Sequence, residues 1–114
     1  MQLYIYVASD NVDELIEPVS EVLTQWVGDN NERKQLVNLP EEDRLGVNIT
    51  IESKNQLNKP LKFLYSLAKE HQCDFVVGKF DGDVLGEGAM EDVCYFGFEE
   101  GRPDMFEVAS YLEL

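Results

Sequence analysis

Apolar residues recur along the chain with two different periods. Residues 2–8 are rich in β-branched and aromatic side chains, a composition typical of a β-strand. Successive side chains of a strand point to opposite faces, and here both faces are largely apolar. We therefore predict a central strand covered on both sides. Its two faces carry Leu3, Ile5 and Val7 on one side and Tyr4 and Tyr6 on the other.

The next segment has helical periodicity. Its apolar stripe consists of Val12, Leu15, Ile16, Val19, Leu23, Trp26 and Val27. Asn11 followed by Glu14 fits a capping box, and Gly28 is a good stop signal. Pro18 interrupts the stripe, because proline lacks the N–H that a helix interior requires. Either the helix kinks at this residue or its main part begins near Glu17.

A hairpin follows the first helix. Residues 45–53 alternate between apolar and polar positions, which predicts a half-exposed strand. Residues 35–39 form a shorter strand candidate, and residues 40–43 read as the turn between the two.

The second half of the chain also predicts a helix followed by a pair of strands, and it ends with a further short helix. Asn58 is predicted to cap a second helix, with Pro60 in its first turn. Its packing face is formed by Leu61, Leu64, Tyr65, Leu67 and Ala68. Residues 74–80 and 92–98 are predicted to form an antiparallel pair. Asp104 and Glu107 predict a capping box for a short last helix, whose candidate packing residues are Phe106, Val108, Ala109 and Leu112.

The predicted element order is β-α-β-β-α-β-β-α. This order predicts an α+β fold with two layers, in which helices cover one face of a mainly antiparallel sheet of about five strands. A variant of the ferredoxin-like arrangement is the first expectation. The length of 114 residues predicts a single domain over 1–114.

Charge narrows the range of partners. The net charge is −14, and residues 81–114 carry ten acids against one base, Arg102, or −9 of that total. Such a chain repels phosphate backbones and anionic lipids, so we expect neither nucleic-acid nor membrane binding. We see neither a secretory signal nor an apolar run long enough to cross a membrane. Two cysteines, Cys73 and Cys94, are too few for a disulfide framework, so a cytoplasmic protein with reduced thiols is expected.

Metal and catalytic motifs are weak. The loop from Asp81 to Asp92 has oxygen ligands at some positions of an EF-hand, but Leu85 replaces a ligand and no helix precedes it. An irregular cation site would use Asp81, Asp83 and Glu87. Zinc ligation would use His71, Cys73 and Cys94, without the usual paired spacing. The sequence shows no nucleophile elbow or dinucleotide motif. We therefore predict no cofactor, no metal site and no enzymatic activity.

Binding a protein partner is the preferred functional hypothesis. Aromatic residues are concentrated among the acids of the last third, and most of them are expected in the core. Any exposed ones would anchor a partner that the carboxylates attract. The predicted partner-binding residues are Glu91, Asp92, Tyr95, Glu99, Glu100 and Asp104. By analogy of size and charge alone, an inhibitor or immunity-type protein that docks a basic enzyme fits this description. The alternative is an accessory or structural domain that forms a homo-oligomer.

Overall fold

The computed structural model of the chain describes residues 2–8, 12–28, 34–39, 44–81 and 89–112. Within these ranges, strands and helices follow the predicted order, and a short 3-10 helix precedes the second α-helix. The strands are β1 (Gln2–Val7), β2 (Lys34–Leu39), β3 (Arg44–Thr50), β4 (Asp74–Asp81) and β5 (Ala89–Gly97). The α-helices are α1 (Val12–Val27), α2 (Asn58–His71) and α3 (Met105–Tyr111), and the 3-10 helix is Lys54–Leu57.

All five strands belong to one antiparallel sheet with the order β2-β3-β1-β4-β5. β3 lies between the strands that α1 connects, and β1 lies between the strands that α2 connects. This is the split β-α-β arrangement of ferredoxin-like folds, with β5 added outside β4. The predicted α+β class, with helices on a five-stranded antiparallel sheet, is confirmed.

The main core lies between the helices and one face of the sheet. Alternate residues of β1 point into it, as the sequence pattern predicted. Apolar side chains from all three α-helices complete this layer. Its fully buried members include Leu3, Ile5, Val19, Leu23, Val47, Leu64, Phe75, Val77 and Leu112.

A smaller apolar cluster occupies the opposite face of the sheet. Tyr4 and Tyr6 are only 2% and 4% exposed, and their rings stack with centroids 4.9 Å apart. Val37 is buried beside them, and Val76 packs against the cluster. The prediction of a central strand covered on both sides is therefore confirmed.

The helix boundaries correct two sequence predictions. α1 is continuous from Val12 to Val27 with Pro18 inside it, so a main helix beginning near Glu17 is wrong. Pro18 is exposed on the outer side of α1. Asn58 does not cap α2, because the 3-10 helix runs directly into α2 and Asn58 already has helical backbone angles.

The ends of α1 and β3 also differ in how well the sequence predicted them. α1 ends where predicted, with the Gly28 N–H donating to the Thr24 carbonyl at 2.9 Å. β3 ends at Thr50, three residues before the predicted end. Asn11 and the turn at 40–43 lie outside the described residues. None of the helices in the described ranges is long and apolar enough to cross a bilayer.

Candidate functional site: the β5 surface

The last third of the chain exposes most of its aromatic side chains. Of the five aromatics expected mostly in the core, only Phe96 is buried, at 1% exposure. The others are half or more exposed, so that expectation is wrong, including the packing role predicted for Phe106. They are Tyr95 at 52%, Phe98 at 51%, Phe106 at 65% and Tyr111 at 52%. Aromatic side chains accessible in this way are typical of protein–protein interfaces.

A β-bulge places Asp92 and Tyr95 on the same face of the sheet. Residues three apart on a regular strand point to opposite faces. Here Gly78 pairs with Asp92 and Val77 pairs with Cys94, so β5 has one extra residue, Val93. Asp92 and Tyr95 therefore both lie on the face opposite the helices. This face also carries Tyr4, which pairs with Gly78 on the other side of β4.

Asp92 is held by a hydrogen bond from the buried central strand. The Tyr4 hydroxyl donates to Asp92 Oδ1, and the Tyr6 hydroxyl donates to Asn48 Oδ1 at 2.7 Å. Burial raises the pKa of Tyr4 above its ordinary value, and the hydrogen bond to Asp92 and the negative charge of Asp92 raise this pKa further. Tyr4 therefore remains a proton donor at neutral pH and fixes the carboxylate at the surface.

The buried tyrosines make stability depend on alkaline pH. Burial raises the pKa of Tyr6 to about 12, whereas an unfolded tyrosine ionises near pH 10 (about its ordinary pKa). Between these values the folded state binds more protons than the unfolded state, so stability falls as pH rises. We expect the urea midpoint to decrease across this range, and to decrease less steeply in Tyr6→Phe. An equally steep decrease in that variant would contradict the assignment to Tyr6.

Glu91 and Asp104, both predicted to bind a partner, also make contacts within the chain. Glu91 pairs in register with Lys79, and its carboxylate lies 3.8 Å from the Lys79 ammonium. Asp104 is the N-cap of α3, as predicted. Its Oδ1 accepts from the backbone N–H groups of Phe106 at 2.8 Å and Glu107 at 3.2 Å. Both residues therefore have partners within the chain.

The Glu107 side chain also has a partner on α3 itself. Glu107 Oε1 accepts from the Tyr111 hydroxyl at 3.0 Å. This hydrogen bond raises the pKa of Tyr111 above its ordinary value. The pair lies four residues apart, which is the spacing that brings side chains together on one face of a helix.

Glu99 and Glu100 lie in a tight turn directly after β5. Their backbone N–H groups both donate to Asp74 Oδ1 at 3.0 Å, which ties the turn to the start of β4. Gly97 and Gly101 close the turn with reciprocal backbone hydrogen bonds of 2.9 Å. Phe98 lies within the turn and is half exposed. The turn thus presents two carboxylates and an aromatic ring at the end of the edge strand.

Asp92, Tyr95, Phe98, Glu99 and Glu100 together are called the β5 surface below. Four of them were predicted from the sequence to bind a partner. Phe98 was noted only as an aromatic residue expected in the core, although its position beside two glutamates could have indicated its exposure. The role of Tyr4 had no sequence signal, because its contact with Asp92 joins residues 88 positions apart.

The cysteines have the properties of structural thiols. Burial raises the pKa of Cys73 to about 11, with a smaller effect from Asp74. Burial also raises the pKa of Cys94 to about 11, assisted by the charge of Glu107. A thiol attacks as its thiolate, so these groups are poor nucleophiles at neutral pH.

No metal site is assembled in the described part of the chain. There, no three His, Cys, Asp or Glu side chains gather in a group that could hold an ion. His71, Cys73 and Cys94, the candidate zinc ligands, are among the residues covered by this statement. Asp83, Glu87 and the side chain of Asp81 lie outside what the structure describes.

Comparison of this chain with protein-family models, with curated proteins and with solved structures found no match.

Proposed function

We propose that this protein is a binding domain that docks a basic protein partner through the β5 surface. The observation that carries the proposal is that Tyr95 and Phe98 are half exposed on the same strand and turn as Asp92, Glu99 and Glu100. Aromatic side chains supply contact area with little loss of conformational entropy, and surrounding carboxylates attract a partner of opposite charge.

The charge of the whole chain supports a basic partner. Ten of its 23 acids lie in residues 81–114, where Arg102 is the single base. A surface of this kind accelerates association with a cationic protein, and salt weakens the effect. The specific form of the proposal is an inhibitor or immunity-type protein in the cytoplasm, whose partner is an enzyme with a basic surface. No catalytic step is assigned to this chain.

Reversal of the two negative charges in the turn after β5 is the first test of the proposal. The partner is captured from lysate at low salt, identified and purified, and its association rate is measured for Glu99→Lys combined with Glu100→Lys. We expect the rate to fall by about tenfold and to depend less on salt. The matched control is Glu14→Lys with Glu17→Lys, which reverses two exposed acids on α1. If this control slows association as much as the turn variant, only net charge matters and the surface assignment is wrong.

Tyr95 provides a second test on the same complex. Tyr95→Ala removes a half-exposed ring on an edge strand, so we expect little change in stability. We expect the Kd to rise by about tenfold or more, mainly through faster dissociation. Tyr111→Ala, which removes an equally exposed ring from α3, is the control. An unchanged Kd for Tyr95→Ala would remove the proposed aromatic anchor.

Self-association is the second candidate function. β2 and β5 are the two edges of the described sheet, and an edge strand carries backbone groups that can pair with another copy. Sedimentation over a range of concentrations distinguishes the two proposals. A stable dimer that dissociates when a proline replaces Tyr95 would favour self-association over a different partner.

A further inference from the structure

A groove of about 680 Å³ lies between α2 and the segment that leads into α3. One wall is a single face of α2, on which Asn58, Lys62, Tyr65 and Ser66 are neighbours because they lie three or four residues apart. The other wall is formed by residues 102–106. The β5 surface contributes none of the described lining residues, so the groove is a separate feature.

The apolar surface of the groove is accessible to a partner. Phe106 is 65% exposed, more than any other large apolar side chain in the described part of the chain. Tyr65, Pro103 and Met105 are partly exposed beside it. An accessible aromatic ring with apolar neighbours is typical of the residues that anchor a protein partner.

Two cations that line the groove have no ionic partner. Lys62 and Arg102 are both exposed, and neither forms an ion pair with any residue that the structure describes. Asp104 is the one carboxylate among the described lining residues. Its Oδ1 already accepts from two backbone N–H groups of α3. The charges of Lys62 and Arg102 are therefore available to an anionic group.

Two further lysines lie over the aromatic rings of the groove. Lys54 Nζ is 5.5 Å from the centroid of the Phe106 ring, and Lys69 Nζ is 5.6 Å from the centroid of the Tyr65 ring. An aromatic ring has no net charge, so neither contact neutralises its lysine. These lysines therefore add to the positive charge at the groove.

The groove is positively charged although the chain is strongly acidic. Residues 53–69 carry four lysines and no acid, and Arg102 is the single base of residues 81–114. Three of these lysines and Arg102 lie at the groove. At about 0.15 M salt, exposed charges more than about 8 Å apart are largely screened. Local charge, rather than the net charge of −14, therefore determines what the groove attracts.

We propose that this groove docks an acidic segment of a protein partner, in which carboxylates flank an apolar side chain. The carboxylates pair with Lys62 and Arg102, whose guanidinium group can hold a carboxylate through two hydrogen bonds. The apolar side chain packs against Phe106 and Tyr65. The β5 surface attracts the opposite charge and shares no residue with the groove, so a failure of either proposal leaves the other intact.

The probe is a short dye-labelled peptide in which glutamates alternate with leucines, and the readout is its fluorescence anisotropy with the full chain. We expect saturable binding that weakens as salt is raised above about 0.15 M. The matched peptide with glutamine in place of glutamate should bind about tenfold more weakly. Equal binding of the two peptides would overturn the proposal, and so would the absence of saturation. Tighter binding of a dye-labelled oligothymidylate would also overturn it, by assigning the cations to nucleic acid.

Charge variants locate the carboxylates. Lys62→Gln and Arg102→Gln are each expected to raise the Kd of the acidic peptide roughly three- to tenfold, as for loss of an exposed ion pair. Lys59→Gln is the matched control, because it removes the same charge from α2 at a residue that does not line the groove. If Lys59→Gln weakens binding as much as Lys62→Gln, only the overall charge of α2 matters and the groove is not the site.

An aromatic variant tests the apolar half of the site. Phe106→Ala removes a largely exposed ring, so we expect little change in Tm and a Kd for the acidic peptide that rises about tenfold. Tyr111→Ala, which removes an exposed ring of α3 outside the groove, is the control and should leave this Kd unchanged. An unchanged Kd for Phe106→Ala would show that the peptide does not lie in the groove.

Discussion

Gly97→Ala is expected to destabilise the protein by about 3 to 4 kcal/mol. Gly97 has φ +144°, a region that L-residues rarely adopt. A Cβ at this position would lie 2.6 Å from the Asp74 Cα and 2.6 Å from the Cys73 carbonyl oxygen. Both are backbone atoms of a buried strand start, so the turn itself must move.

The comparison with Gly101→Ala separates the free-energy cost of backbone strain from the cost of steric overlap. Gly101 also has positive φ, +98°, but a Cβ there would meet nothing within 4 Å. We expect Gly101→Ala to cost only about 1 to 2 kcal/mol. Urea unfolding of both variants measures the difference. Because the turn carries Phe98, Glu99 and Glu100, Gly97→Ala should also weaken partner binding while the variant remains folded. Equal stability of the two variants would contradict the close packing at Gly97.

Gly78→Ala is expected to cost about 2 to 3 kcal/mol for a different reason. The backbone of Gly78 has no positive φ, but the Tyr4 ring lies directly against its Cα. An added methyl group would overlap that ring. Tyr4 is only 2% exposed, and its hydroxyl donates a hydrogen bond to Asp92. The ring must therefore tilt away, and the hydrogen bond that fixes Asp92 on the β5 surface is lost.

A double-mutant cycle tests this explanation. In a Tyr4→Val background the ring is absent, so adding Gly78→Ala should cost less than about 1 kcal/mol. The readout is the free energy of unfolding of the four proteins, from urea melts. If Gly78→Ala costs the same with and without the ring, the overlap with Tyr4 is not its cause.

The sheet could be predicted because its strands have distinct apolar patterns. β1 is apolar on both faces and proved central, whereas β3 alternates and proved to lie next to an edge strand. The order of the elements then predicted helices packed on one face of a mainly antiparallel sheet, but it did not give the order of the strands. The spacing of apolar side chains along the chain therefore predicted the fold class without any information on contacts between distant residues.

Local helix signals were less reliable where two elements meet. Asn58 followed by Pro60 has the composition of a helix start, but residues 54–57 already form a 3-10 turn, so the backbone at Asn58 needs no cap. Asp104, by contrast, has extended backbone angles, its side chain accepts from the first N–H groups of α3, and it caps α3 as predicted. Whether Asn58 or Asp104 caps its helix depends on the backbone conformation of the residues before it, and amino-acid preferences for the cap position do not describe that conformation.

The sequence predicted which residue types form the β5 surface, but it did not predict how these residues are arranged on the sheet. The sequence indicated that acids and aromatics are concentrated near the C-terminal strand. It could not show the bulge at Val93 that brings Asp92 and Tyr95 to one face, because a bulge is defined by the pairing with β4. Phe106 is 65% exposed because it lies two residues before the buried Val108, about 200° around the helix from it.

The pairing of β1 has a consequence for synthesis on the ribosome. β1 emerges before its neighbours, and β4, which completes its second edge, follows about 70 residues later. At translation rates of about 5–20 residues per second, this delay lasts roughly 4 to 14 seconds. For that time a strand that is apolar on both faces has at least one edge without its partner strand, which is a condition under which nascent chains aggregate or recruit chaperones. Yield in a cell should therefore respond to translation speed between β1 and β4.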